Sequence, residues 1–152
     1  MMRKNAFTMI ELIFVIVIIA ILAVVAIPKL SATRDDAKVA RMSQMIATGA
    51  TEIASFAVAK GTIEDDLSRM SHSVESLVNM GEAVVHTETK SVDFIMGSDN
   101  PCITMQVDDG LLDANLSVVL EPFPTSSICE SLTNLFDTSD YPIPLRGQRV
   151  AK

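Results

Sequence analysis

From Phe7 to Ile27 the chain runs for twenty-one residues with only two polar side chains, Thr8 and Glu11. From Leu12 to Ile27 there are sixteen apolar residues without a break. As a helix the longer stretch reaches about 31 Å, the thickness of a bilayer core. Arg3 and Lys4 precede it, and no acid lies among the first six residues. The positive-inside rule therefore places the N-terminus in the cytoplasm and the rest of the chain across a membrane, as a single-pass protein.

Beyond the apolar run the chain is acidic. Residues 29–152 carry ten basic and eighteen acidic side chains, and the whole chain has a net charge of −7. A surface of that sign is repelled by phosphate backbones, so no direct nucleic-acid partner is expected. The 152 residues suffice for one domain plus an anchor. Of the two cysteines, Cys102 and Cys129, each would lie on the oxidising side of the membrane. There a disulfide is expected, closing a loop worth about 3 kcal/mol. Two buried free thiols are the alternative.

A removable secretory signal also begins with basic residues and an apolar run, and Val24-Val25-Ala26 would serve as its cleavage site. Against that, the run is longer than such signals use, and Glu11 sits near its start. No cysteine comes after the run closely enough for a lipoprotein anchor. A carboxylate inside a bilayer costs about 2.5–3.5 kcal/mol on insertion scales and ordinarily has a partner. Glu11 either snorkels to the interface, helped by the positive end of the helix dipole, or meets a cation.

Ala6-Phe7-Thr8-Met9-Ile10-Glu11-Leu12, behind a six-residue basic leader and ahead of the apolar run, resembles the prepilin cleavage and methylation motif of type IV pilins and type II secretion pseudopilins. The resemblance covers about residues 1–60. Ala6 stands where that family usually has glycine, and Met9 where it has leucine. The resemblance implies cleavage by a prepilin peptidase between Ala6 and Phe7, and N-methylation of Phe7. Glu11 then corresponds to the acid that pairs with the N-terminal amine of a neighbouring subunit during assembly. Pro28 matches a proline often found in this helix, where a kink or local melting is expected. The implied partners are further pilins or pseudopilins, an inner-membrane platform protein, an assembly ATPase, and membrane lipid before assembly. The implied fold is α+β and lollipop-shaped, a long N-terminal helix packed on a small antiparallel sheet. The implied location is the inner membrane, then a periplasmic or extracellular filament.

The chain then divides into four segments: a leader at 1–6, a membrane or filament-core helix at 7–28, an amphipathic helix at 29–60, and a globular domain at 61–152. Val39, Met42, Ile46, Ala50, Ile53 and Ala57 recur at helical spacing and form one stripe. Arg34, Asp35, Asp36, Lys38 and Arg41 read as a solvated face, and Gly61 as a stop. Residues 62–80 predict one or two short helices, with Ser73 as a cap and Gly81 as a stop. Strands are expected at 83–87, 91–96, 102–107 and 115–120, giving a sheet of three or four strands. Ser127 and Glu130 suggest a capping box opening a helix to Phe136. The stretch 141–152, with two prolines, reads as an edge strand or loop.

Catalytic constellations fail to appear. There is no Walker-type glycine loop, no Cys-x-x-Cys and no His-Glu-x-x-His, and His72 and His86 stand apart. No enzyme and no cofactor are expected. Asp108, Asp109 and Asp113 around Gly110 raise calcium as a minor alternative, although an Asp-Gly hairpin turn accounts for them. A periplasmic binding domain on an ordinary signal anchor is the rival function.

Overall fold

A run rich in isoleucine and valine is a poor helix former in water, because β-branching restricts χ1 against the preceding turn. Where no water is available, a single helix satisfies every backbone group internally, and that requirement overrides propensity. In the structure, a computed structural model that describes residues 8–97, 99–110 and 113–146, helix α1 spans Met9–Lys60, 52 residues. It passes through position 28 as helix, so the local melting that a proline permits is not adopted there.

The chain divides into two compact units, Met1–Ala37 and Lys38–Lys152. In the first, the window Met9–Ala26 has none of its length buried inside the chain. In the second, Val39, Met42, Ile46, Ala50, Ile53 and Ala57 are all buried. One helix thus carries a segment apolar all round and a segment with a single apolar face, and only the latter is covered by its own chain.

The cover is α+β. A 3₁₀ turn at Leu67–Arg69 leads to α2 (His72–Asn79). Strands β1 (Ala83–His86), β2 (Ser91–Met96), β3 (Asp99–Asp109) and β4 (Ala114–Leu120) come next, then α3 (Ser127–Leu135) and β5 (Ile143–Pro144). The sheet has five antiparallel strands in sequential order. In β3 the residues Ile103, Met105 and Val107 point into the core while Gln106 and Asp108 face solvent, the period-two pattern of a half-buried strand. Phe94, Ile103, Met105 and Leu116 join the α1 stripe in one hydrophobic cluster. Each large side chain so buried contributes about 1.5–3 kcal/mol.

Two features exceed the expectation. Strand β3 begins at Asp99 rather than Cys102, because β2 and β3 form a close hairpin with Met96 opposite Asp99. The stretch read as an edge strand or loop supplies a fifth strand, one more than the three or four expected: Ile143 pairs with Leu116, and the adjoining amide of Leu145 donates to the Ala114 carbonyl at 2.7 Å. Leu145 is fully buried, and that burial holds so short a strand in place.

The caps correct two sequence assignments. Ser71, not Ser73, caps α2: its backbone is extended and its hydroxyl accepts from the Val74 amide. The amide of Ser73 instead donates to Glu52 Oε2 at 2.9 Å, and the Ser71 hydroxyl donates to the same oxygen at 2.6 Å. A carboxylate of α1 is thereby seated on one open amide and the capping hydroxyl of α2. Ser126, not Ser127, caps α3 and accepts from the Cys129 amide, so Ser127 and Glu130 both lie inside the helix and form no capping box. Gly81, with φ of 74°, ends α2 in the left-handed region that disfavours a side chain.

Arg41 corrects the reading of its charge cluster. One terminal nitrogen donates to both carboxylate oxygens of Glu82, at 2.6 and 2.5 Å, so this arginine ties α1 to the turn entering β1. A disulfide joins Cys102 to Cys129 and fixes α3 to β3. Gly97 lies so close to α3 that an added Cβ would sit 2.8 Å from Ile128 Cγ2.

Two stability effects are expected. Partial burial raises the Glu52 pKa, but hydrogen bonds from Ser71 and Ser73 and the nearby His72 charge outweigh it, so the group sits below its ordinary value. Its stabilisation is complete above the ordinary glutamate range and is lost as pH falls through the depressed folded-state value. Glu52→Gln should therefore lower stability by about 1–2 kcal/mol at neutral pH and by less in acid, as read by urea unfolding at both pH values. Replacing Cys102 and Cys129 together by serine should cost about 3 kcal/mol in the same assay.

Candidate functional site: the opening of the long helix

The N-terminus of any α-helix exposes amides without partners in its first turn. Here they meet Thr8 and Glu11. The Thr8 amide and hydroxyl both donate to Glu11 Oε2, at 3.2 and 3.0 Å, and the Glu11 amide donates back to Thr8 Oγ1 at 3.4 Å. The Leu12 amide closes the first turn onto the Thr8 carbonyl at 3.2 Å. This is a reciprocal capping box, Thr-x-x-Glu. The same four-residue signature stands in the sequence, where the cost of burying Glu11 points to a partner elsewhere and leaves Thr8 without a role.

The arrangement serves two purposes. It supplies donors to a carboxylate that would otherwise enter the apolar segment without any, and it places negative charge at the positive end of the helix dipole. It also holds the carboxylate in a defined position just before Leu12, Ile13 and Phe14, all of which are exposed. A cation arriving at the helix opening meets a fixed anion.

The other residues singled out in the sequence are spread along the chain. Ala6 and Phe7 lie outside the described residues. Pro28 is within α1. Cys102 and Cys129 are in the globular unit, joined to each other. His72 lies 3.4 Å from Glu75 on α2 and is largely exposed. His86 Nε2 lies 3.0 Å from Asp93 Oδ2, and the Thr104 hydroxyl donates to the other oxygen of Asp93 at 2.7 Å. That row crosses the outer face of the sheet, from β1 through β2 to β3.

Of the aspartates near Gly110, Asp109 is held by two cations. Asp109 Oδ2 accepts from Lys90 at 3.2 Å and Asp109 Oδ1 pairs with Arg146 at 2.9 Å. Lys90 also pairs with Asp65 at 3.2 Å, and hydrogen bonds to the two carboxylates push its pKa above the ordinary lysine value. Among the described residues no three histidine, cysteine, aspartate or glutamate side chains gather as a metal site.

With this geometry in place, the comparison with protein families is specific. The model described as the prokaryotic N-terminal methylation motif matches residues 1–27. The chain carries the prepilin-type motif that type IV pilins and pseudopilins share. Thr8, Glu11 and the apolar run all fall within the matched span. Comparisons with curated proteins and with solved structures find no match.

Thr8→Val should remove the two hydrogen bonds of the Thr8 hydroxyl and destabilise the first turn by about 1 kcal/mol. The Glu11 amide should then exchange about fivefold faster in detergent micelles, as followed by NMR, whereas Thr8→Ser should exchange at the wild-type rate.

Proposed function

We propose that this chain is a structural subunit of a type IV pilus or pseudopilus, made as an inner-membrane precursor and assembled into a helical filament. The coincidence of the methylation motif with a helix segment left wholly uncovered by its own chain carries the proposal. Such a segment requires lipid or other helices around it.

In this proposal the leader 1–6 stays on the cytoplasmic side, and a prepilin peptidase cuts between Ala6 and Phe7. The new amine of Phe7 is methylated, which leaves it basic. Glu11 lies four residues beyond that amine, about one helical turn. An amine and a carboxylate are each costly in hydrocarbon, and pairing relieves both costs. Because the two groups of one subunit are offset along the axis, pairing between neighbouring copies also sets their axial register. The Thr8–Glu11 box holds the acid until a neighbour's amine arrives. Other pilins or pseudopilins, a platform protein and an assembly ATPase complete the machine. The role is structural and requires no catalytic group.

The test is intact-mass measurement of the chain from cells with and without a prepilin peptidase, together with filament yield. Mature protein should begin at Phe7 and carry one added methyl group only when the peptidase is present. Glu11→Ala should still be processed yet lose filament. Mature material that retains residues 1–6 would overturn the processing step, as a periplasmic binding domain on an ordinary anchor predicts. Normal filament yield from Glu11→Ala would overturn the pairing step.

A further inference from the structure

The globular unit contains six methionines, at positions 42, 45, 70, 80, 96 and 105. Met42 and Met105 are fully buried, Met70 and Met96 nearly so, and Met45 is partly buried against the core. Met80 is 55% exposed. It occupies the C-cap of α2, immediately before the turn that Arg41 grips through Glu82.

The placement of its sulfur is specific. Met80 Sδ lies 3.4 Å from Arg41 NH1, and Met45 Sδ lies 3.6 Å from the same nitrogen. The other terminal nitrogen of Arg41 is engaged by the Glu82 carboxylate. One side of the guanidinium thus meets a strong, charged acceptor and the other meets two thioethers, which are weak acceptors. Any chemistry that puts a polar oxygen on the Met80 sulfur would place that oxygen beside an N–H donor already directed at it.

We propose that Met80 is the oxidation site of the globular unit and that Arg41 receives the resulting sulfoxide oxygen. The oxidant is a hydroperoxide. A lone pair of Met80 Sδ attacks the peroxide oxygen, an S–O bond forms, and the O–O bond breaks. The transferred oxygen gives up its proton, and the departing oxyanion takes up that proton and leaves as water or an alcohol. Sulfur loses two electrons and the peroxide gains them. A sulfoxide formed in a core disrupts packing, because a polar group replaces an apolar one. At Met80 the sulfur lies at the surface next to a cation, so oxidation adds a strong hydrogen bond to the clamp joining α1 to β1. This inference is independent of the proposed filament role and concerns only residues of the globular unit.

The experiment treats the full chain in detergent micelles with graded hydrogen peroxide. Peptide mass spectrometry reads the gain of one oxygen at each methionine, and thermal melting reads the globular unit. Met80 should gain oxygen before Met42, Met45, Met70, Met96 and Met105, and the melting temperature of the wild type should rise as it does. The rise should be absent in Arg41→Gln. It should also be absent in Met80→Leu, which retains Arg41 and serves as the control where Arg41→Gln does not fold. Oxidation of Met45 or of a buried methionine before Met80 overturns the site. A wild-type melting temperature that stays level or falls, or a rise that persists in either variant, overturns the role of Arg41.

Discussion

The stripe from Val39 to Ala57 is the contact on which the globular unit is built. Within the globular unit it is the buried face of α1, and Phe94, Ile103, Met105 and Leu116 join it in the same cluster. Without it the sheet would have one greasy face and no layer to cover it, a state that a small antiparallel sheet does not sustain in water. The preceding part of the helix has the opposite property. None of the window Met9–Ala26 is buried inside its own chain. The two halves belong to one continuous helix and differ in how their apolar side chains are distributed around it.

Polar contacts fix orientation where apolar ones are permissive. Dispersion and burial would tolerate small slides of α1 over the sheet. Glu52 on the open end of α2 and Arg41 on Glu82 are directional, and they fall eleven residues apart on the same helix. At the far side of the sheet, the disulfide and the close approach of Gly97 to Ile128 do the equivalent for α3. The Lys90–Asp109–Arg146 ion pairs bring the chain beyond β5 back to the end of β3.

Much of this is legible in the sequence, for identifiable reasons. The stripe can be read because burial of one helix face leaves a 3.6-residue period, and all six of its members are in fact buried. The strand pattern of β3 is equally plain. Cap positions differ from expectation by one or two residues because Ser71 and Ser73, and Ser126 and Ser127, are chemically equivalent candidates. Backbone dihedrals decide between them, and those are not written locally. The edge strand expected within 141–152 is only two residues long, and so short a strand has no period by which to fix its place. The Arg41–Glu82 pair spans 41 residues and lies beyond any local pattern. Thr8 is a different case. Its capping signature is present, but the acid three residues later also fits an intermolecular role, and the two readings share one side chain.

The two margins of the sheet differ from its centre in a way that bears on how copies of this chain can meet. One margin is the four-residue β1, and the other ends in a two-residue strand whose second member, Pro144, has no amide to donate. Short edge strands and edge prolines are devices by which natural sheets are blunted, although β5 covers β4 only at Asn115 and Leu116. A protein whose copies are crowded together risks unintended growth through its β structure. Here the strand at each border is short, and that narrows the route.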